Sequence, residues 1–353
     1  MKFTGNKGEW SELYVLIKLL AEGKIYSATE DLQKNENSWL PILKIFREES
    51  ELKNIVYKRS SQNFVEVYLN DIFINKIETS ELEIAAKNIF SEINKGTSSF
   101  SIDCAEEIMK NLQCEKIKAD SSEKKDITVE IQDPFTNFKR ICGFSIKSKF
   151  KNPPTLLNSS QETNFKFEIE KISNEEILQI NSIKTKSKIK DRISRIKNLK
   201  FISLGRRGIF ANNLLFIDTM MTKILADMVK MYYLGNTSSC IEIVNKIEEQ
   251  NPLNFPIKNL YRYKFKKFLC AIALGMQPTK IWNGLDEANG GYIIVKDDGE
   301  ILAYHLYDRN SFENYLLENT KFETGSTGKH NFGEIYIEGE RQFINLNLQV
   351  RFK

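Results

Sequence analysis

Two strand-like runs constrain this chain more than any other feature. Ile127-Thr128-Val129-Glu130-Ile131 and Ile141 to Ile146 flank Asp133-Pro134-Phe135-Thr136-Asn137. β-Branched residues favour a pleated strand, and the Asp, Pro and Asn between the runs suit a turn. The pattern predicts an antiparallel hairpin that sets Asp126, at the start of one strand, against Lys147, near the end of the other. Phe144 and Ile146 alternate with Ser145 and Lys147. Ser145 and Lys147 therefore share one face, and the apolar pair takes the opposite one.

Around the hairpin the chain changes character twice. Residues 7–22 predict a helix, with Leu13, Leu16, Ile17 and Leu20 at helical spacing and Gly23 ending the pattern. Residues 64–74 read as extended chain, and 80–112 as short helical patterns between polar loops. Another strand is expected around Phe165 to Ile169. From 174 to 283 the chain reads as mostly helical. From 291 it returns to strands: Tyr292 to Val295, a turn at Asp297-Asp298-Gly299, Ile301 to Tyr307, then 334–337 and 342–352. The fold class is α+β, with a mixed sheet, a helical middle region and a β-rich C-terminal part.

The 353 residues, 41% of them hydrophobic, suffice for two or three compact domains. The best apolar run, Leu13 to Leu20, is short and broken by Lys18, and the N-terminus lacks a signal peptide pattern. These features predict a soluble intracellular protein with no membrane partner. Five cysteines without a CxxC pair argue against a zinc ribbon and a disulfide framework. Two histidines, His305 and His330, are too few for most His-built metal sites. A metal here would take oxygen ligands, which suits Mg²⁺, Mn²⁺ or Ca²⁺. Net charge is only +4, but Lys139 to Lys151 hold five Lys or Arg and no acid, and Lys184 to Lys200 hold eight against one Asp. Both stretches fit a polyanion partner, although solvated lysines explain the second as readily in a lysine-rich chain.

The pairing of Asp126 with Lys147 suggests a chemistry. Phosphodiester hydrolysis needs a metal-binding carboxylate, a Lewis-acid metal and a way to prepare hydroxide beside one phosphorus. Asp126 can hold Mg²⁺, and Lys147 can orient or deprotonate water and stabilise the charge that builds on the phosphate. A surface ion pair is the plainer alternative. The loop from Asn152 to Phe165 is rich in small polar residues suited to a phosphate or base edge. On the first helix Glu9 falls within the apolar stripe, a costly place for a carboxylate without a cation or metal. The competing reading has Glu9 supporting the helix dipole from the first turn. Glu12, at the stripe's edge, is the second choice, and Glu130, Glu168 and Glu170 follow.

An acid, a turn and a lysine on the next strand resemble the PD-(D/E)xK nuclease core. More narrowly, several segments resemble the HpaII-type restriction endonucleases. They are Lys7-Gly-Glu-Trp-Ser-Glu-Leu-Tyr14, Gly143-Phe-Ser-Ile-Lys-Ser148, Pro154-Thr-Leu-Leu-Asn158 with Thr163-Asn-Phe165, Ala273-Leu-Gly-Met276 with Trp282-Asn-Gly284, Gly290-Gly-Tyr-Ile-Ile-Val295 and Leu346-Asn-Leu-Gln-Val-Arg-Phe352. The resemblance implies a type II enzyme of the prokaryotic cytoplasm that cuts duplex DNA at a short palindrome, CCGG in the prototype. It implies Mg²⁺, or Mn²⁺ in its place, a homodimer, and a separate DNA methyltransferase acting on the same site. The order of elements along the chain divides it into a nuclease core with the catalytic hairpin (1–172), a mostly helical region (173–284) and a β-rich region (285–353) expected to recognise DNA. One departure matters: Ser145 stands where the family pattern carries a metal-binding acid. Either the acid comes from elsewhere or the site binds metal weakly; in the fold this resembles, the first helix packs beside the catalytic sheet, which directs attention to Glu9 or Glu12.

Base reading calls for Arg, Lys, Asn, Gln or acidic side chains in the grooves. Ser326, Thr327, Lys329 and His330 lie in a flexible loop that can approach a phosphate or base edge. Asn345, Asn347, Gln349 and Arg351 alternate along what reads as one last strand, and make either a reading surface or an ordinary polar face. Asn158 and Asn164 flank the loop after the hairpin, and Arg206-Arg207 follows Gly205 as a candidate phosphate clamp. Tyr261, Tyr263 and Phe265 read as helix core rather than a stacking platform. Three alternatives remain: a nuclease with another target, a DNA-binding protein with a decayed centre, for which Ser145 speaks, and an interaction protein. No Walker loop is present, which argues against ATP-driven cutting.

Overall fold

The computed structural model describes residues 3–119, 125–134, 136–149, 153–305 and 309–353. Phe135, Phe150 to Asn152 and Tyr307, which figured in the expected turn, basic stretch, loop and strand, lie outside the described residues. The chain packs as two compact units, each discontinuous in sequence. The first holds Met1–Pro154 and Asp286–Phe312, the second Thr155–Leu285 and Glu313–Lys353. These units cut across the three consecutive segments read from the sequence.

The first unit is built on a nine-stranded sheet: β1 (Lys24–Ala28), β2 (Lys34–Ser50), β3 (Lys53–Arg59), β4 (Phe64–Leu69), β5 (Ile72–Glu78), β6 (Ile127–Gln132), β7 (Lys139–Ser148), β8 (Gly291–Val295) and β9 (Ile301–His305). Their order is β1-β9-β8-β7-β6-β2-β3-β4-β5, and β1 also pairs with the first half of the long β2. The predicted hairpin is β6 and β7, antiparallel from Ile127↔Phe144 to Gln132↔Lys139. On its other edge β7 runs parallel to β8, Tyr292 opposite Ser145 and Ile294 opposite Lys147. Because β8 joins this sheet, the residues around 286–312 belong to the hairpin's unit rather than to a separate C-terminal one. Gly290 permits the close approach. A Cβ there would meet the Phe144 ring at 2.7 Å and the Gly143 carbonyl at 2.8 Å.

Helix α1 (Lys7–Glu22) packs against β7 and against α2 (Thr79–Lys95). It starts at an Asn6 cap and stops at Gly23, whose backbone takes a left-handed φ of 66°. The sequence suggests a single apolar stripe, but Trp10, Val15 and Leu19 are buried as fully as Leu13, Leu16 and Ile17. An apolar surface on nearly every side marks a helix enclosed by its neighbours. Residues 64–74, read as one extended piece, form the β4–β5 hairpin, turning at Asn70 and Asp71, both at positive φ.

The second unit mixes helices with two small sheets. Its helices include Met221–Leu234, Cys240–Gln250 and Leu260–Leu274, which carry the expected helical middle region, interrupted by a strand at Lys200–Leu204. The C-terminal stretch expected as one strand is two. Arg341–Asn347 lies in a four-stranded sheet, and Gln349–Phe352 in a three-stranded one. The chain changes sheets at Leu348, whose N–H donates to the Thr163 carbonyl at 3.0 Å. Helices and mixed sheets together make the fold α+β. Among the described residues no helix is long and apolar enough to cross a membrane.

Candidate active site

Backbone pairing fixes the position of Asp126. Its N–H donates to the Phe144 carbonyl at 2.8 Å, which continues the β6–β7 ladder by one residue. Its Oδ2 accepts from the Ile146 N–H at 2.8 Å and the Ser145 hydroxyl at 3.0 Å. Lys147 turns back along the same face. Its Nζ donates to Ser145 Oγ at 2.6 Å and to the Ile146 carbonyl at 3.0 Å, and lies 3.8 Å from Asp126 Oδ2. It also lies 5.2 Å from the centre of the Tyr292 ring on β8. Ser145 is fully buried between the acid and the lysine. The expected sharing of a face by Ser145 and Lys147 is thus present as a direct hydrogen bond.

The acid that the structure brings beside Asp126 is Glu12, not Glu9. Glu9 lies in the first turn, and its carboxylate accepts from the Asn6 N–H at 2.7 Å, completing a capping box with the Asn6 side chain. Of the two readings of Glu9, the geometry matches the helix-end one: its carboxylate meets a helix-end donor, and the described structure does not bring it to Asp126. Glu12 sits one turn farther along α1, on the face shared with Val15, Leu16 and Leu19. Its side chain is only 13% exposed, and its Oε2 is buried without a hydrogen-bond partner. Burial first, and then the charge of Asp126, push the Glu12 carboxyl up to about 7, against the pull of Lys118 and Lys147. Burial also pushes Lys147 below the ordinary lysine range, although Asp126 and Glu12 oppose it.

Sequence reasoning missed Lys118. Its Nζ lies 3.0 Å from Glu12 Oε1 and 3.4 Å from Asp126 Oδ1. Burial alone would lower its affinity for a proton, but the two carboxylates outweigh it and hold Lys118 above its usual value. Nothing in Glu115-Lys-Ile-Lys118 marks this residue, since only the fold brings it to the hairpin.

Two carboxylates, one with an orphaned buried oxygen, suit a hard cation that prefers oxygen ligands. Among the described residues no three of His, Cys, Asp and Glu converge; of the expected ligands Asp126, Glu9 and Glu12, the fold brings Asp126 and Glu12 together around Lys118. The weaker candidates are engaged elsewhere. Glu130 pairs with Lys44 at 3.0 Å, Glu168 with Arg341, and Glu170 accepts from Asn198.

All the DNA-reading candidates lie in the second unit, and they divide by exposure. Asn158, Ser326 and Lys329 are exposed, and Thr327 and His330 half-buried. Asn347 is buried instead. Its amide donates to Ser160 O, Thr163 Oγ1 and Asn164 Oδ1, while Asn164 Nδ2 donates to the His330 carbonyl. Gln349 is buried between Ser159 and Glu323, and Arg351 lies 3.0 Å from Glu323. These contacts tie strands and loops together, with Asn347 and Gln349 buried while Asn345 and Arg351 stay half-buried on the same expected face. Arg206 bonds Gln161 and Arg207 reaches Glu162, whose buried carboxylate also accepts from the Arg207 and Ile209 N–H groups. Of the two expected clamp residues, Arg207 thus has an acid beside it and Arg206 an amide, and both stay exposed. Within the second basic stretch Arg192 is buried and donates to the Gly333, Asn181 and Ile183 carbonyls, whereas Lys184, Lys186, Arg195 and Lys197 are exposed.

Comparison with known proteins agrees with the resemblance read from the sequence. The family model described as HpaII restriction endonuclease matches residues 6–352. The type II restriction enzyme HpaII of Haemophilus parainfluenzae is 41% identical over 357 residues, covering 99% of this chain and 99% of that protein. No solved structure gives a match.

Proposed function

The chain belongs to the HpaII restriction endonuclease family, and we propose that this type II enzyme cuts duplex DNA at CCGG with Mg²⁺ held by Glu12 and Asp126. The observation that carries the reading is the buried, unpartnered Oε2 of Glu12 beside Asp126, on the side of the sheet where Lys147 lies. Lys118 meets Oε1 alone, and a buried carboxylate oxygen left without a donor, as Oε2 is, is costly until a further cation or donor reaches it. Mg²⁺ bound there supplies Lewis-acid activation of water and of the scissile phosphate.

The chain's own residues do the rest. Ser145 and the Ile146 N–H orient Asp126 so that its other oxygen, Oδ1, faces Glu12 and Lys118. Lys147, anchored by Ser145 and the Ile146 carbonyl, is held with its proton-binding strength reduced. That suits a group that orients the attacking water, accepts its proton, and steadies the negative charge developing on phosphorus. Ser145 supplies no charge of its own. It links Lys147 to Asp126, and Glu12 takes over the acid role that the serine position lacks. Mn²⁺ fits the same oxygen donors. Asn158, Ser326, Thr327, Lys329 and His330 remain the accessible candidates for DNA contact.

A palindromic target suits two copies of the chain acting together, and a separate methyltransferase on the same sequence would protect host DNA. To test the reading, purified protein is incubated with plasmid DNA and Mg²⁺, with EDTA and Lys147→Ala controls, and the ends are sequenced. Discrete fragments ending at CCGG, absent in both controls, are expected. A smear that persists in Lys147→Ala, or ends at another sequence, would refute it.

A further inference from the structure

The two lysines at the centre divide the Asp126 carboxylate between them. Lys147 lies beside Oδ2, the oxygen that also accepts from Ser145 and the Ile146 N–H. Lys118 takes Oδ1 and, with the same ammonium, Glu12 Oε1. A cation that coordinated both acids would need those oxygens. The two lysines also differ in freedom. The Lys147 side chain is 19% exposed and tied to Ser145 and a backbone carbonyl, whereas that of Lys118 is 45% exposed and, among the described residues, bonds to the two acids alone.

From this geometry we propose that Lys118 is the centre's internal counter-ion: its ammonium bridges Glu12 and Asp126 in the metal-free enzyme and must withdraw before a divalent cation can bind there. The proposal rests on the metal reading given above. Two cations within a few ångströms repel, so the ammonium and a divalent ion compete for one pair of carboxylates. The exposed four-carbon stem of Lys118 lets it leave without disturbing the sheet. The bridge keeps two close carboxylates tolerable before metal arrives, at the expense of metal affinity.

The test measures Mn²⁺ binding to DNA-free protein at about pH 8, where Glu12 is ionised. Lys118→Met should bind Mn²⁺ about tenfold more tightly than wild type, and Lys118→Arg, which keeps the charge, should stay near wild type. Equal or weaker binding by Lys118→Met would overturn the proposal. Asp126→Asn separates the two ideas, because wild-type Mn²⁺ affinity in that variant would refute the metal reading itself. Should Lys118→Met fail to fold, acylation of wild-type lysines read by mass spectrometry serves instead. Lys118 should react faster once Mn²⁺ is added, and unchanged reactivity would overturn the proposal.

Discussion

The Ser145 hydroxyl donates to Oδ2 of Asp126 at 3.0 Å, so the residue standing where the family pattern has an acid orients the acid that is present. Ser145 Oγ in turn accepts from Lys147 Nζ at 2.6 Å, making Ser145 the link between carboxylate and ammonium. Ser145→Ala should therefore lower single-turnover cleavage about tenfold while leaving Mn²⁺ affinity near wild type, as expected when one hydrogen bond of roughly 1–1.5 kcal/mol is lost. A loss of metal binding equal to that of Asp126→Asn would instead make Ser145 a ligand.

Glu12 and Glu9 lie one helical turn apart and should behave differently. Glu12→Gln should abolish detectable cleavage and weaken Mn²⁺ binding. Glu9→Ala should keep wild-type cleavage at room temperature and lose about 1 kcal/mol of stability, the usual worth of a helix cap. Cleavage assays and urea denaturation of the two variants check this. Loss of activity in folded Glu9→Ala with activity kept in Glu12→Gln would reverse the assignment.

The pH response follows from Glu12. Its carboxyl titrates near 7 in the folded protein against an ordinary value of 4.5. The groups facing it are Asp126, which raises it after burial, and Lys118 and Lys147, which oppose the rise. The folded state thus keeps a proton that the unfolded chain releases. Glu12's contribution to stability is full below the unfolded value and is lost as pH rises through about 7. Metal-free wild type should lose stability over that window relative to Glu12→Gln. Metal must displace the same proton, so Mn²⁺ affinity should fall about tenfold per pH unit below 7. Parallel melting profiles of wild type and Glu12→Gln would contradict this account.

In the second unit the buried and exposed polar residues should separate. Asn347→Ala removes the donor to Ser160, Thr163 and Asn164 and should cost about 2–3 kcal/mol of stability. Lys329→Ala should leave stability unchanged, weaken binding to any duplex, and reduce the salt dependence of binding by about one phosphate contact. Chemical denaturation and binding titrations at several salt concentrations distinguish these outcomes.

What could be read from the chain and what could not follow a physical division. The β6–β7 hairpin was legible because local alternation and turn chemistry determine it, and with it came the pairing of Asp126 with Lys147. The choice between Glu9 and Glu12 needed two local signals taken together. Asn6 three residues before Glu9 is a capping-box pattern, and Val15, Leu16 and Leu19 place Glu12 on an apolar face. A single-stripe reading of α1 obscures the second signal, because that helix is enclosed on most sides. The division between Asn347 and Gln349 was not legible: strict alternation continues through Leu348 while the chain passes from one sheet to another. Lys118 lay beyond reach altogether, since its partners are 106 and 8 residues away in sequence.

The central claim is that Glu12, Asp126 and Lys147 form one cutting centre. It is tested most directly by single-turnover cleavage of a duplex carrying one CCGG site, with Mg²⁺, comparing wild type with Asp126→Asn and Lys147→Ala. The account predicts cutting within that site by wild type and a loss of at least about a hundredfold in each variant, the scale of a missing general base or metal ligand. Cleavage by folded Asp126→Asn or Lys147→Ala at the wild-type rate would place the chemistry elsewhere in the chain.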